Sequence, residues 1–167
     1  MAEIISFIPI LFFAGTLETA VFSRLQILYG SADLVMIVLI VWTLNANTKH
    51  SLILALLAGF VMTFYSALPM NGYFLIYLSI WFMIRILKLW VWQMPLILLV
   101  FVTIMGTLLS TVISFGLLFL QDVSYDISFV ITQIFVPSMT LNLFLAFPTY
   151  IFLNDYANWL YQAEDSK

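Results

Sequence analysis

The sequence predicts an all-α integral membrane protein: a bundle of six transmembrane helices that forms a single polytopic domain over residues 1–167. Two observations predict this class. Hydrophobic residues make up 65% of the chain and charged residues 8%, whereas a soluble domain carries roughly 45–50% apolar and about 25% charged residues. At about 20 residues per span plus short loops, the 167 residues accommodate five to seven helices and leave no room for a soluble domain.

Composition and charge also exclude several classes of function. The net charge of −3 comes from 8 acidic and 5 basic residues that form no basic stripe, so we expect no binding of nucleic acid. The chain has no cysteine, which excludes a disulfide and a cysteine nucleophile. The only histidine, His50, lies in a predicted loop without a second imidazole or a serine and carboxylate beside it. We therefore expect no enzymatic activity, no metal site and no cofactor.

The first predicted span runs from Ile4 to about Phe22, and the second covers residues 34–47. No basic region precedes the first run, which we interpret as an uncleaved span. We expect its Glu18 carboxylate to lie at the interface or to bind a partner group, with proton or ion handling as the alternative.

The second run, with Ser31 as its predicted N-cap, is about 21 Å long. It spans only if its polar end lies among headgroups; otherwise it re-enters, which gives five spans plus a re-entrant segment.

The third predicted span, from Ser51 to Leu68, ends at a turn from Pro69 to Gly72. The fourth extends from Tyr73 to about Leu89. Basic and aromatic side chains near its end are typical of an anchor at the membrane interface. These predicted anchors are Arg85, Lys88, Trp90 and Trp92.

The fifth predicted span runs from Pro95 to about Leu120 and carries small residues at every fourth position, Gly106, Ser110 and Ser114. Small side chains let two helix backbones approach closely. The face that they form is therefore predicted to pack either within the bundle or against the helix of a separate partner.

The sixth predicted span runs from Ile127 to Leu153 and contains Pro137 and Pro148, each of which is expected to kink or break it. Ser138 and Asn142 lie near its middle. An amide exposed to lipid there would be unsatisfied, so these side chains must face protein or a cavity. They are expected to make structural hydrogen bonds or, as the alternative, to line a small-molecule pocket.

Residues 154–167 are predicted to form a short polar tail, mostly solvated. With six spans, four basic residues share a side with the N-terminus and only Arg24 lies opposite. Because positive charge concentrates on the cytoplasmic side, this arrangement places both termini in the cytoplasm. The alternative with a re-entrant segment also divides the basic residues four to one, with Lys167 alone on its side. The charges therefore do not choose between the two arrangements.

The order of several short stretches resembles the family of the rod shape-determining protein MreD, over nearly the whole chain. The matching stretches are Gly30-Ser31-Ala32-Asp33-Leu34, Ala58-Gly59-Phe60, Ser66-Ala67-Leu68-Pro69 with Gly72, Val91-Trp92-Gln93, Gly106-Thr107-Leu108 and Pro137-Ser138-Met139-Thr140-Leu141-Asn142. Members of that family often have an aspartate in the third span where this chain has Thr63, and Asn71 extends the turn before Gly72.

The resemblance implies a non-enzymatic component of the bacterial cell-elongation machinery, located in the cytoplasmic membrane. It implies an MreC-like single-span partner, and association with the MreB filament and with the SEDS polymerase and class B penicillin-binding protein that build peptidoglycan. The turn at Pro69 and Gly72 and the segment from Pro137 to Asn142 become candidate contact regions. The alternative function is a membrane-embedded substrate-binding subunit of a vitamin or small-molecule transporter. That function needs a convergent polar pocket, for which the sequence offers Glu18, Ser138 and Asn142.

Overall fold

The computed structural model describes residues 2–22, 27–45, 48–66, 68, 72–90, 94–123 and 126–165, and these residues form helices and no strand. The all-α class is therefore confirmed. The α-helices are α1 (Ala2–Leu17), α2 (Leu34–Leu44), α3 (Ser51–Tyr65), α4 (Gly72–Trp90), α5 (Pro95–Phe119), α6 (Ile127–Phe129) and α7 (Val136–Asp165). A π-helical turn (Glu18–Phe22) continues α1, and a π-helical segment (Val130–Phe135) joins α6 to α7.

Four of the helical stretches in the described residues are long and apolar enough to cross a membrane. They are Glu3–Val21, Gly72–Leu89, Pro95–Phe119 and Ile127–Gln162. The two shorter apolar helices are α2 and α3. With 11 residues, α2 is about 16 Å long, roughly half the thickness of a bilayer core.

The short helix α2 forms the centre of the bundle. All of its residues are buried, and it packs against α1, α3, α4, α5 and α7. Such burial agrees with its sequence, because a helix that is apolar all round has no face for water. Its largest side chain, Trp42, is fully buried and meets the Phe7 ring edge to face, with 5.2 Å between the ring centroids.

Contacts at its two ends show the direction of α2 relative to the C-terminal helix. The Asp33 N–H donates to the Asn142 side chain at 2.8 Å, and the Asn45 amide donates to the Asn154 side chain at 3.1 Å. These two partners are 12 residues (154 − 142) apart along α7, so α2 and α7 lie side by side in the same direction. Because Tyr161 donates to Thr48 and Glu3 contacts His50, both ends of the described chain lie at one end of the bundle.

Three helix ends differ from the sequence prediction. The second helix ends at Leu44, whereas its predicted run extends to about Asn47. Asp33, and not Ser31, is the N-cap of α2, since its carboxylate accepts the Met36 N–H at 2.7 Å. The third helix ends at Tyr65 instead of Leu68.

The C-terminal part of the chain also differs from the prediction. Pro137 and Pro148, each expected to kink or break the helix, do not break it, and the helix extends to Asp165, whereas we expected a mostly solvated tail from residue 154. The tail is helical because it still has apolar surface to bury. Ala157, Leu160 and Tyr161 pack into the bundle.

Candidate functional site

The segment before α2, residues 27–33, docks on the C-terminal helix next to Pro137. Proline has no N–H, so the carbonyl of Gln133, four residues earlier, lacks its α-helical donor. The Tyr29 N–H donates to that carbonyl at 3.1 Å. The backbones approach so closely that an ideal Cβ at Gly30 would lie 2.6 Å from the Ser138 nitrogen. Only glycine therefore fits here without a shift of the backbone.

Polar side chains of the C-terminal helix hold the same segment in place. The Ser31 N–H donates to the Ser138 hydroxyl at 3.1 Å, and the Asp33 N–H donates to the Asn142 carbonyl oxygen at 2.8 Å. The Asn142 NH₂ group in turn donates to the Thr107 hydroxyl of α5 at 3.0 Å. Both Ser138 and Asn142 are buried, as expected for side chains that face protein or a cavity.

Two carboxyl groups meet the N-terminus of α2. Asp33 caps the Met36 N–H at 2.7 Å, and Glu18 accepts the Val35 N–H at 3.2 Å. The Tyr77 hydroxyl donates to the Asp33 carboxylate at 3.0 Å. Carboxylates are stabilised here because the first N–H groups of a helix have no intrahelical acceptor and carry a partial positive charge. Glu18 thus has a partner inside the protein.

A polar cavity of about 220 Å³ opens beside these groups. Its walls come from the end of the first helix, the segment before α2, and the helices α4, α5 and α7. The polar lining residues are Glu18, Ser31, Asp33, Tyr73, Thr107, Ser110, Thr111, Ser114, Ser138 and Asn142. Among the described residues that line the cavity there is no lysine or arginine, so the cavity offers carboxylate and hydroxyl acceptors without a compensating cation.

The small-residue face of α5 divides between two roles. A Cβ at Gly106 would lie 3.5–3.6 Å from Ile40, Met36 and Ile80, so this residue packs inside the bundle and faces no separate partner. Ser110 and Ser114 line the cavity instead.

Three threonines of α5 place hydroxyl groups in an apolar bundle, where each hydroxyl needs a hydrogen-bond acceptor. Thr103, Thr107 and Thr111 each donate to the carbonyl four residues earlier in the same helix, at 2.8–2.9 Å. Their hydroxyls are thereby satisfied within the helix and still present oxygen lone pairs to the neighbours.

The two basic residues among the predicted interface anchors have different surroundings. Lys88 points inward, and its ammonium group donates to the carbonyl oxygens of Thr43 and Asn45 at 2.9 and 3.1 Å. It therefore caps the C-terminus of α2. Arg85 is exposed. The side chain of Trp90 and the whole of Trp92 lie outside the described residues.

The predicted turn at Pro69 and Gly72 is described only in part. Pro69 lies outside the described residues. Gly72 begins α4 and is buried, and a Cβ there would lie 2.5 Å from Leu68 and 2.6 Å from Leu117. This glycine serves helix packing.

Sequence reasoning missed two polar contacts, because each joins residues far apart in the chain. Glu3, which is 2% exposed, contacts the His50 imidazole at 3.0 Å. The Asn45 amide donates to the side chains of Asn154 and Asn158, each at 3.1 Å. A signal for the second contact existed, since two asparagines four residues apart lie on one helical face.

No family model, no curated protein and no solved structure matches this chain. We therefore infer its function from the chemistry of the cavity and from the sequence resemblance.

Proposed function

We propose that this protein is a non-enzymatic, six-span component of the bacterial cell-elongation machinery, with both termini in the cytoplasm. One observation supports the proposal above the others. Two of the stretches that resemble MreD, residues 30–34 and residues 137–142, contact each other directly at the start of α2, where the Ser31 N–H donates to the Ser138 hydroxyl across 107 residues of sequence.

The surroundings of α2 are compatible with a place inside a membrane. Backbone groups at the depth of the hydrocarbon core are tolerated where protein satisfies them. The first turn of α2 is bound by Asp33 and Glu18, and its last carbonyls are bound by Lys88. A helix of only about 16 Å can therefore serve as the second pass, because side chains of the protein bind the backbone groups at its two ends.

The proposed partner is an MreC-like single-span protein. Since Gly106 packs against Met36 and Ile40 inside the bundle, we place the partner helix on an outer, lipid-facing surface. Leucine at position 106 would then lower bundle stability without removing the contact surface.

Co-expression with the MreC-like protein of the same genome tests this proposal. We expect the partner to be retained through affinity purification in a mild detergent, and an unrelated single-span protein to be lost. Reporter fusions to the two termini should both report the cytoplasm. Loss of the partner from a correctly inserted protein would overturn the proposal, and a C-terminus outside the cell would overturn the six-span topology.

A second candidate function is the substrate-binding subunit of a small-molecule transporter, and the polar cavity favours it. The pocket that this function needs is lined by Glu18, Ser138 and Asn142 together. Native mass spectrometry of the purified protein distinguishes the two candidates. A water-soluble small molecule retained at one per chain, together with failure to retain an MreC-like partner, would favour the transporter subunit.

A further inference from the structure

An apolar groove of about 380 Å³ adjoins the polar cavity. The two share Thr111, Phe115 and Val130 as wall residues, so the cavity and the groove meet between α5 and the π-helical segment. Apart from Thr111, every residue that lines the groove is apolar. Val112 and Ile131 on its rim are 57% and 49% exposed, which means that the groove opens on the outer surface of the bundle.

The combined space changes from polar to apolar along its length. At one end lie the carboxyl groups of Glu18 and Asp33 with the serine and threonine hydroxyls of the cavity. At the other end lie only hydrocarbon side chains. A ligand that fills both parts must have a polar head and an apolar chain, which is the chemistry of a membrane amphiphile.

The charge of the cavity restricts the head further. Carboxylates accept hydrogen bonds and repel anions, and the described lining residues include no lysine or arginine that could neutralise a phosphate. The cavity volume of about 220 Å³ is large enough for several water molecules and hence for a small head group. A head with hydroxyl or ammonium donors suits the two carboxyl groups better than a phosphate head, whose charge no cation among the described lining residues would neutralise.

We propose that the cavity and the groove together bind one membrane amphiphile, with a non-anionic, hydrogen-bond-donating head beside Glu18 and Asp33 and an alkyl chain along α5. The inference rests on the proposed insertion of this protein in a membrane. It assigns a class of ligand to this site, which the proposed binding of a partner protein does not need.

Three probes with the same chain length test the head. The protein is reconstituted in lipid nanodiscs, because a detergent would itself compete as an amphiphile. Binding of radiolabelled dodecylamine, monododecanoylglycerol and dodecyl phosphate is measured, and the signal of empty nanodiscs is subtracted. We expect saturable binding of the ammonium or the glycerol probe, and at least tenfold weaker binding of the phosphate probe. Equal or tighter binding of dodecyl phosphate would overturn the proposal.

Two substitutions test the location. Ser114→Leu fills the cavity and Val112→Trp fills the groove, and each should weaken binding of the preferred probe at least tenfold. Matched controls on the exposed surface of α3 are Thr63→Leu and Leu56→Trp, which should leave binding unchanged. Thermal unfolding without a probe is measured for all four variants, so that only variants that fold like the wild type are compared. If both site variants fold and bind like their controls, the proposed site is wrong.

A third substitution separates the two kinds of head. Glu18→Gln keeps an oxygen that can accept the Val35 N–H but removes the charge. If the cavity prefers an ammonium head, this variant should lose the preference of dodecylamine over monododecanoylglycerol. If a hydroxyl head is preferred, the ratio of the two affinities should stay the same. Retention of an MreC-like partner is measured on the same preparations, so that failure of the amphiphile site and failure of the proposed function give different results.

Discussion

The two ends of the central helix α2 are both enclosed by protein, yet they are built differently. At the N-terminal end, the carboxylates of Asp33 and Glu18 bind the first N–H groups. At the C-terminal end, the ammonium group of Lys88 binds the carbonyl oxygens of Thr43 and Asn45. The signs match the helix dipole, which favours anions at the start of a helix and cations at its end.

The difference lies in what surrounds the caps. The N-terminal end borders the 220 Å³ cavity, where Ser110 and Ser114 add hydroxyl groups that capping does not need. At the C-terminal end, the Asn45 amide is used by Asn154 and Asn158. Polar groups that are not needed for capping and that border a cavity indicate binding. Polar groups that form hydrogen bonds with neighbouring side chains indicate a structural role. We therefore assign binding to the start of α2 and stability to its end.

The largest expected effect is the loss of the cap at the start of α2. Asp33→Ala leaves the Met36 N–H and the buried Tyr77 hydroxyl without their acceptor. Loss of an N-cap and one orphaned buried hydroxyl should together lower the free energy of unfolding by about 2–4 kcal/mol. Unfolding in mixed micelles measures it. Asp126→Ala is the matched control, because Asp126 caps α6 from an exposed position; an equal loss in both variants would contradict the special role of Asp33.

A smaller loss is expected at the other end. Lys88→Met removes the charged donor from the carbonyl oxygens of Thr43 and Asn45 and should lower the free energy of unfolding by about 2 kcal/mol. Arg85→Met, three residues earlier and exposed, should change it little. If reporter fusions show that both variants lose orientation equally and neither loses stability, Lys88 is an interface anchor and not a cap.

The sequence predicted the class of the fold and most helix ends because these depend on local composition. Both ends of the fourth and fifth predicted runs lie within one residue of the ends of α4 and α5, and the polar pair Ser138 and Asn142 is buried, as expected for side chains that face protein or a cavity. The central place of α2 was not predictable, since an apolar run of 11 residues has the same sequence pattern whether it lies in lipid or in a protein core. The contact between Lys88 and the end of α2 was not predictable either, because a long side chain near a helix end reaches headgroups and backbone carbonyls equally well.

The cavity was only partly predictable, for a related reason. The sequence singled out Glu18 and Asn142 because polar groups in an apolar run need partners. It did not show that both would meet at the start of α2, since that depends on the docking of Gly30 beside Pro137. Such a contact joins segments more than 100 residues apart and leaves no periodic signal.

That docking can be tested at the position where the two backbones come closest. Gly30→Ala places a Cβ 2.6 Å from the Ser138 nitrogen, so one backbone must shift, and the free energy of unfolding should fall by about 1–2 kcal/mol. Gly116→Ala is the control, because a Cβ there meets nothing within 4 Å; this variant should be as stable as the wild type or more stable. The Gly30→Ala variant should also weaken binding of the preferred amphiphile probe, since Ser31 lines the cavity. Unchanged stability and unchanged binding together would show that the segment can move without cost.

The smallest expected effect has the opposite sign and lies at the end of α2. Thr43 is buried, and its hydroxyl has no hydrogen-bond partner among the described residues. Valine has nearly the same shape without the hydroxyl, so Thr43→Val removes an unsatisfied polar group and keeps the carbonyl that Lys88 binds. We expect the free energy of unfolding to rise by about 1 kcal/mol, which corresponds to about 2–4 °C in the melting temperature of a chain of this size.

Thr111→Val is the control, because the Thr111 hydroxyl donates to the Thr107 carbonyl and lines the cavity. That variant should gain no stability and should bind the amphiphile probe more weakly. A loss of stability in Thr43→Val would mean that its hydroxyl has a polar role at the C-terminal end, and the contrast between the two ends of α2 would then have to be abandoned.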